Sequence, residues 1–360
     1  MASLMLVSLA IGTFIATSTP ADDRSTDAGR LSLDLINDAW ATGQDEGFSS
    51  RFRLVARYAP FIGSGISGLF PDRWPVVAEY WSMGAQFDLY TPTDLTADTL
   101  EELQDERPYA GYISGTIGAD FVFHDSPIIE EGYSSFTTTI EVGVVGPQTG
   151  AGDFQREWHR IIRELLNRNF TPRDPRGWGI WEIPNAVLFS LRARYETEAF
   201  RTRWPAPRLR QRRGSEPQAQ LSGFLDCSLG TLRVSCDYGV NFRFGLMPDI
   251  ALEGALPISS WSAANGRPRR PFAVYLLVGL GGDVVAYDAF LDGPVGIEES
   301  PSQTKRVAGA SGQAGFVLRF RRFEMFYRHM LLTREVREVP QPRGVDPQQL
   351  GQFILSYTWD

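Results

Sequence analysis

Hydrophobic and polar residues alternate along most of the chain with a period of two, which is the period of a strand with one apolar face. In YWSMGAQFDLY, Trp81, Met83, Ala85, Phe87 and Leu89 fall on one face and Ser82, Gly84, Gln86, Asp88 and Tyr90 on the other. LRVSCDYGVNFRFG sets Val234, Cys236, Tyr238, Val240, Phe242 and Phe244 against Arg233, Ser235, Asp237, Asn241 and Arg243. YISGTIGADFVF divides the same way. Runs of this kind predict about twelve strands, near 31–37, 48–58, 78–90, 109–123, 133–145, 186–199, 218–229, 232–246, 271–285, 304–319, 322–335 and 349–359. The ionic face of such a strand must be wet, which excludes a two-sheet sandwich core.

An even number of strands long enough to cross a bilayer when tilted, apolar on one face and ionic on the other, predicts an all-β fold: a twelve-stranded antiparallel transmembrane β-barrel. A soluble lipocalin-like or jelly-roll barrel is the alternative, but it needs the faces reversed. Arg51, Arg53 and Arg57 share the inner face, and with Arg192, Arg194, Arg233 and Arg243 they are expected to pair with acids such as Asp88, Asp120 and Glu141. That pairing would plug the lumen and set the chain apart from a porin.

The alternation breaks at Gly146-Pro147, where FQREWHRIIREL takes on helical spacing. Gln155 and His159 lie four apart, one above the other on a helix. Phe154, Trp158, Ile161, Ile162 and Leu165 form the adjoining stripe, which predicts a short amphipathic helix in an extracellular loop with His159 at the edge of its contact. Connections after strands one, three and five emerge at one end of an up-and-down barrel. Asn37, Asp38, Gly47-Phe48-Ser49, Tyr90-Thr91-Pro92, Glu106 to Gly111 and the Gln155/His159 helix therefore meet at one mouth, with Asp38 and Ser49 on the inward register of their strands. His124 falls in the connection after strand four, at the opposite end from His159, and His329 within strand eleven, and both read as structural.

Residues 1–21 read as a signal peptide, an apolar run followed by small residues without a basic start, which leaves 22–360 as the barrel. A net charge of −8 with no basic stripe excludes nucleic acid as a partner. Cys227 and Cys236 face each other if Thr231 and Leu232 form a turn, so they are either a cross-strand disulfide or two buried thiols. No nucleophile elbow, phosphate loop or zinc spacing occurs.

Taken in order, IND…GFSS, Gln86 with YTP, ERPYAG, EVGVVGP…Q-x-x-x-H-R-I-I, GW and LGTL…FRFG resemble the outer-membrane lipid A 3'-O-deacylase family (LpxR) across residues 31 to 250. The resemblance implies a multi-pass barrel of the bacterial outer membrane, among its lipids, that hydrolyses the 3'-linked acyl ester of lipid A, the anchor of lipopolysaccharide, with Ca²⁺ required. It implies His159 as general base, with Asn37, Gln155 and Ser49 positioning water and substrate. Asp38 would orient the imidazole or ligate the cation. Three departures stand out. The family's metal-ligating glutamate position is Leu165, with Glu164 one step earlier and about 100° round the helix as the candidate ligand. The loop after YTP has no lysine, and GWGIWEIPNA differs from the family pattern after GW. The alternative function is a catalytically degenerate barrel that binds lipopolysaccharide or another envelope partner. Oligomeric state is not legible in the sequence.

Overall fold

The computed structural model describes residues 29–38, 48–58, 76–124, 132–165, 174–203, 217–247, 272–333, 335–336 and 347–359. The predicted signal peptide lies outside them. Among the described residues, twelve antiparallel strands close into a barrel. They are β1 (Gly29–Asn37), β2 (Phe48–Tyr58), β3 (Val76–Tyr90), β4 (Ala110–His124), β5 (Tyr133–Val145), β6 (Ala186–Arg203), β7 (Gln218–Gly230), β8 (Arg233–Leu246), β9 (Phe272–Asp288), β10 (Ala308–Phe320), β11 (Phe323–Leu332) and β12 (Gln348–Trp359). Among the described residues three α-helices sit in the connections: α1 (Leu100–Leu103), α2 (Ala151–Leu165) and α3 (Ala289–Asp292). Each strand pairs with its sequence neighbours, and β1 returns to β12 from Gly29↔Trp359 to Asn37↔Gly351. Closure leaves no strand edge to face hydrocarbon unpaired. No described helix is long and apolar enough to cross a membrane.

The expected facing holds. Tyr238, Val240, Phe242 and Phe244 are exposed on the outer wall, while Ser235, Asn241 and Arg243 are buried inside. Aromatic residues gather at the end where both chain termini of the barrel lie. Phe320 and Phe323 are exposed there, and Tyr58 packs on Trp359 with ring centroids 6.0 Å apart. Such a girdle marks a membrane–water boundary. Two boundaries moved by four residues. β10 begins at Ala308, because Lys305 leaves the ladder to bridge Val336 and to pair with Asp292. β6 runs to Arg203, because a bulge between Glu198 and Phe200 lets pairing with β7 continue past the expected end.

Ion pairs line the lumen. Arg51 meets Asp88 at 2.9 Å, Arg57 meets Asp120 at 3.1 Å, and Arg192 meets Asp226 at 2.5 Å. Glu196 accepts from Arg243 at 2.9 Å, Arg194 at 3.3 Å and Ser222 at 2.8 Å. Glu141, expected among the partners of these arginines, instead accepts from Ser114 Oγ at 2.8 Å. The cysteines form the cross-strand disulfide, Cys227↔Cys236, beside the turn at Thr231-Leu232.

Removing one member of a buried ionic group strands the others. Glu196→Ala takes away the carboxylate that Arg243 and Arg194 share, although Arg194 keeps Asp226 at 3.3 Å, and is expected to cost about 3–5 kcal/mol. Urea unfolding of the refolded barrel in detergent micelles measures the shift.

Candidate functional site

The site is built by laying α2 across the outside of the barrel. The chain leaves β5 at Gly146, whose φ of +102° and whose N–H bond to Gly111 O at 3.1 Å turn it sharply over the rim. A 3-10 turn, Pro147–Thr149, then leads into α2. The helix seats on β4 at Gly111, where an added Cβ would meet Ala151 Cβ at 2.1 Å and Thr149 Oγ1 at 2.3 Å. Only glycine permits so close an approach.

Gly111 belongs to one row of paired residues that crosses four strands: Gly111↔Leu89, Leu89↔Ser50 and Ser50↔Asn37. From Gly111 to Asn37 this row spans ~14 Å at ~4.8 Å per strand. Eight residues of helix from Ala151 to His159 rise ~12 Å. The two lengths match, so a helix that starts over β4 carries its histidine toward β1 and β2. The side-chain contacts follow that path. Phe154 packs edge-on against the outward Phe87 of β3 at 5.1 Å and Phe52 of β2 at 6.1 Å, and Trp158 reaches Phe52 at 6.4 Å.

The face of α2 that meets the barrel differs from the one expected. Phe154 and Trp158 remain 37% and 42% exposed, whereas Ala151, Gln155 and His159 are buried. These three lie four apart, one above another, so the inner stripe is the polar one. His159 is at the centre of the contact rather than at its edge. The apolar stripe is turned partly outward because the outer wall borders hydrocarbon and leaves it little to gain from facing inward.

Gln155 Oε1 accepts from Trp178 Nε1 at 2.8 Å, and its buried Nε2 has no hydrogen-bond partner. A buried N–H left unmade costs ~1–3 kcal/mol, a cost that a bound oxygen removes. Trp178 is held in turn by Tyr109, 4.8 Å away between ring centroids. Tyr109 pairs through its backbone with Trp181 and Ile183. Arg107 lies over the Tyr90 ring at 4.5 Å and pairs with Glu335. Burial alone would raise Glu335, but Arg107 and Arg233 outweigh it and hold the carboxyl below its usual range. The ERPYAG and GW motifs thus brace the mouth and fix Gln155 from behind.

At the far end of the row, Asn37 Nδ2 donates to Ser50 Oγ at 2.9 Å, and Asp38 is buried beside them in sequence. Ser49 sits at the bulge between Phe48 and Ser50, and its side chain lies outside the described residues. Ser50, one position on, is the serine the fold joins to Asn37. The signal missed was the bulge, which shifts β2 by one residue and which alternation alone does not reveal. Glu164 is not brought to this group: it is exposed on the solvent face of α2 and paired with Arg160 at 2.7 Å. A hard cation such as Ca²⁺ takes six to eight oxygens in general. Among the described residues no three His, Cys, Asp or Glu side chains stand close enough to hold a metal. Asp38 and Asn37 Oδ1 are the oxygen donors on offer, so the described set does not by itself fit a calcium shell.

Two outcomes follow. Gly111→Val should lift α2 off β4 and open Arg156, Arg160 and Arg163 to trypsin, while the strands stay protected; mass spectrometry of the fragments checks it. Glu182, in the turn that carries Trp178, is pushed up to about 7 by burial, although Gly179 N donates to it at 3.0 Å. A raised carboxyl favours the closed turn at low pH and loses that contribution as pH rises from about 4.5 through about 7. Hydrogen exchange at 177–183, corrected for intrinsic rate, should speed up over that window, and Glu182→Gln should abolish the change.

A family model described as outer membrane protein LpxR matches residues 4–359. Among solved structures, LpxR from Salmonella typhimurium is similar with a TM-score of 0.64 at 13% identity, over 91% of this chain and 99% of that one, a likeness of fold. The β-domain of the Bordetella autotransporter BrkA matches with a TM-score of 0.39 at 9% identity, over 92% of this chain and 98% of that one. The translocator domain of NalP from Neisseria meningitidis gives 0.37 at 9%, over 99% and 96%. Both are too distant to argue from. No curated protein matches the chain. A match over nearly the whole chain, on a closed twelve-stranded barrel, shows that the chain belongs to the LpxR family of outer-membrane proteins.

Proposed function

We propose that this outer-membrane protein hydrolyses the 3'-linked acyl ester of lipid A at the outer leaflet, with His159 as general base. The observation that carries the reading is the buried polar stripe of α2, which sets His159 and the unpartnered Nε2 of Gln155 one turn apart against the outer wall. A lipid ester reaches such a site from the membrane side without leaving the bilayer.

In this reading the imidazole of His159 takes a proton from water as its oxygen attacks the ester carbonyl. Gln155 Nε2 donates to the oxyanion that develops, in a site where water is scarce and a donor counts for more. As the tetrahedral adduct collapses, His159 returns the proton to the sugar oxygen, leaving a free fatty acid and a hydroxyl. Asn37 and its partner Ser50 position the substrate, with Ser49 the neighbour implied by the family pattern. Asp38 orients the imidazole. Calcium dependence rests on the resemblance alone. No step of this reaction runs through a cation.

The exposed, Arg160-paired Glu164 favours a second reading, a barrel of the same family that binds lipopolysaccharide without turnover. Mass spectrometry of lipid A incubated with the detergent-folded protein separates the two. Loss of one 3'-linked acyl group with wild type, falling at least ~100-fold in His159→Ala as expected for a general base, supports the hydrolase. An unchanged lipid A from a folded barrel, with and without Ca²⁺, supports the binding protein.

A further inference from the structure

The row beneath α2 continues beyond Asn37. It passes to Gly351 on β12, His329 on β11, Ala314 on β10, Val278 on β9 and Phe242 on β8. Val278 and Phe242 are exposed on the outer wall. His329 shares that outward register, since Arg328 beside it turns into the lumen to bond Gln352 and Gln313. The row is therefore apolar from β8 to β10 and polar from His329 to Ser50. Gly351 between His329 and Asn37 carries no side chain, and two strand spacings separate them by ~10 Å.

His329 does not stand by itself. Its Nε2 lies 3.2 Å from Gln349 Oε1, on the outward register of β12. With that oxygen as acceptor, Nε2 carries the proton, Nδ1 is left to accept, and the Gln349 amide N–H groups are left to donate. An acceptor beside a donor complements a hydroxyl or a secondary amide, each of which has both. A phosphate group offers acceptors alone and fits less well. On a wall that faces lipid, an imidazole and a carboxamide cost stability relative to apolar residues, which marks the pair as serving something other than the barrel.

We propose that His329 and Gln349 form a second polar subsite on the outer wall, continuous with the Asn37–Ser50 end of the site. It takes a hydroxyl or amide group of a glycolipid whose ester lies under α2. The subsite rests on the lipid A reading and supplies the recognition that His159 does not. His329, expected from the sequence to be structural, becomes a specificity-determining residue.

The test is a binding titration of the full-length protein in detergent, read without turnover, using lipid A and a dioleoyl phosphatidic acid probe that has phosphate and ester oxygens but no amide. His329→Leu and Gln349→Leu should each weaken lipid A binding about 3- to 10-fold, leave phosphatidic acid binding unchanged, and leave the unfolding midpoint unchanged or raised. His329→Asn, which keeps a donor and an acceptor, should recover part of the loss. Wild-type affinity for lipid A in His329→Leu, equal loss for both lipids, no preference of wild type for lipid A, or a lowered unfolding midpoint would each overturn the subsite. A wild type that binds lipid A by this pattern but releases no fatty acid overturns the hydrolase reading and leaves the subsite standing.

Discussion

A chain that crosses hydrocarbon has to satisfy its backbone N–H and C=O groups internally, and closure of β1 onto β12 meets that requirement here. Everything else in the molecule inherits its position from that closure. Once each strand is locked to two neighbours, its register is fixed, and a slip of one residue would turn every inward arginine into the lipid. Register in turn defines the rows that run across the wall. The row from His329 through Gly351, Asn37, Ser50 and Leu89 to Gly111 is one consequence, and the candidate site is arranged along it.

The two faces of the wall do different work. Inside, charges are buried in pairs and clusters such as Glu196 with Arg243 and Arg194, where each ion is compensated. That pairing braces the barrel from within. Outside, the exposed side chains of the wall are mostly apolar. A catalytic group placed in the lumen would be walled off from lipid by the strands, whereas one on the outside, roofed by α2, meets a membrane lipid directly. The stiffness of the inside and the accessibility of the outside both follow from the same alternation.

The helix is where local sequence and tertiary context part. Its amphipathicity is plain in Phe154, Trp158, Ile161 and Ile162, yet the stripe that the barrel buries is Ala151, Gln155 and His159. In water the apolar stripe would turn inward. Beside a lipid-facing wall it gains little by doing so, and the close seat of Ala151 on Gly111 decides the rotation instead. The same seat gives ERPYAG its meaning, since its arginine, tyrosine and glycine respectively tie the mouth, hold Trp178 and admit the helix.

The sequence by itself determined the number of strands, their facing, the ionic lumen, the helix and the cross-strand cysteines, because period-two alternation and turn spacing are local properties of the chain. Asn37, Asp38, Gln155 and His159 were legible as candidates through motif order, and the fold gathers them toward one rim. Only the tertiary structure decided which serine pairs with Asn37, because a bulge at Ser49 shifts the register without changing composition. Only closure of β12 on β1 decided that His329, nearly three hundred residues from Asn37 along the chain, lies on the same row. Contacts between the first and last strands leave no trace in local periodicity, since they are set by how many strands the wall needs to close and by how far each is offset from the next.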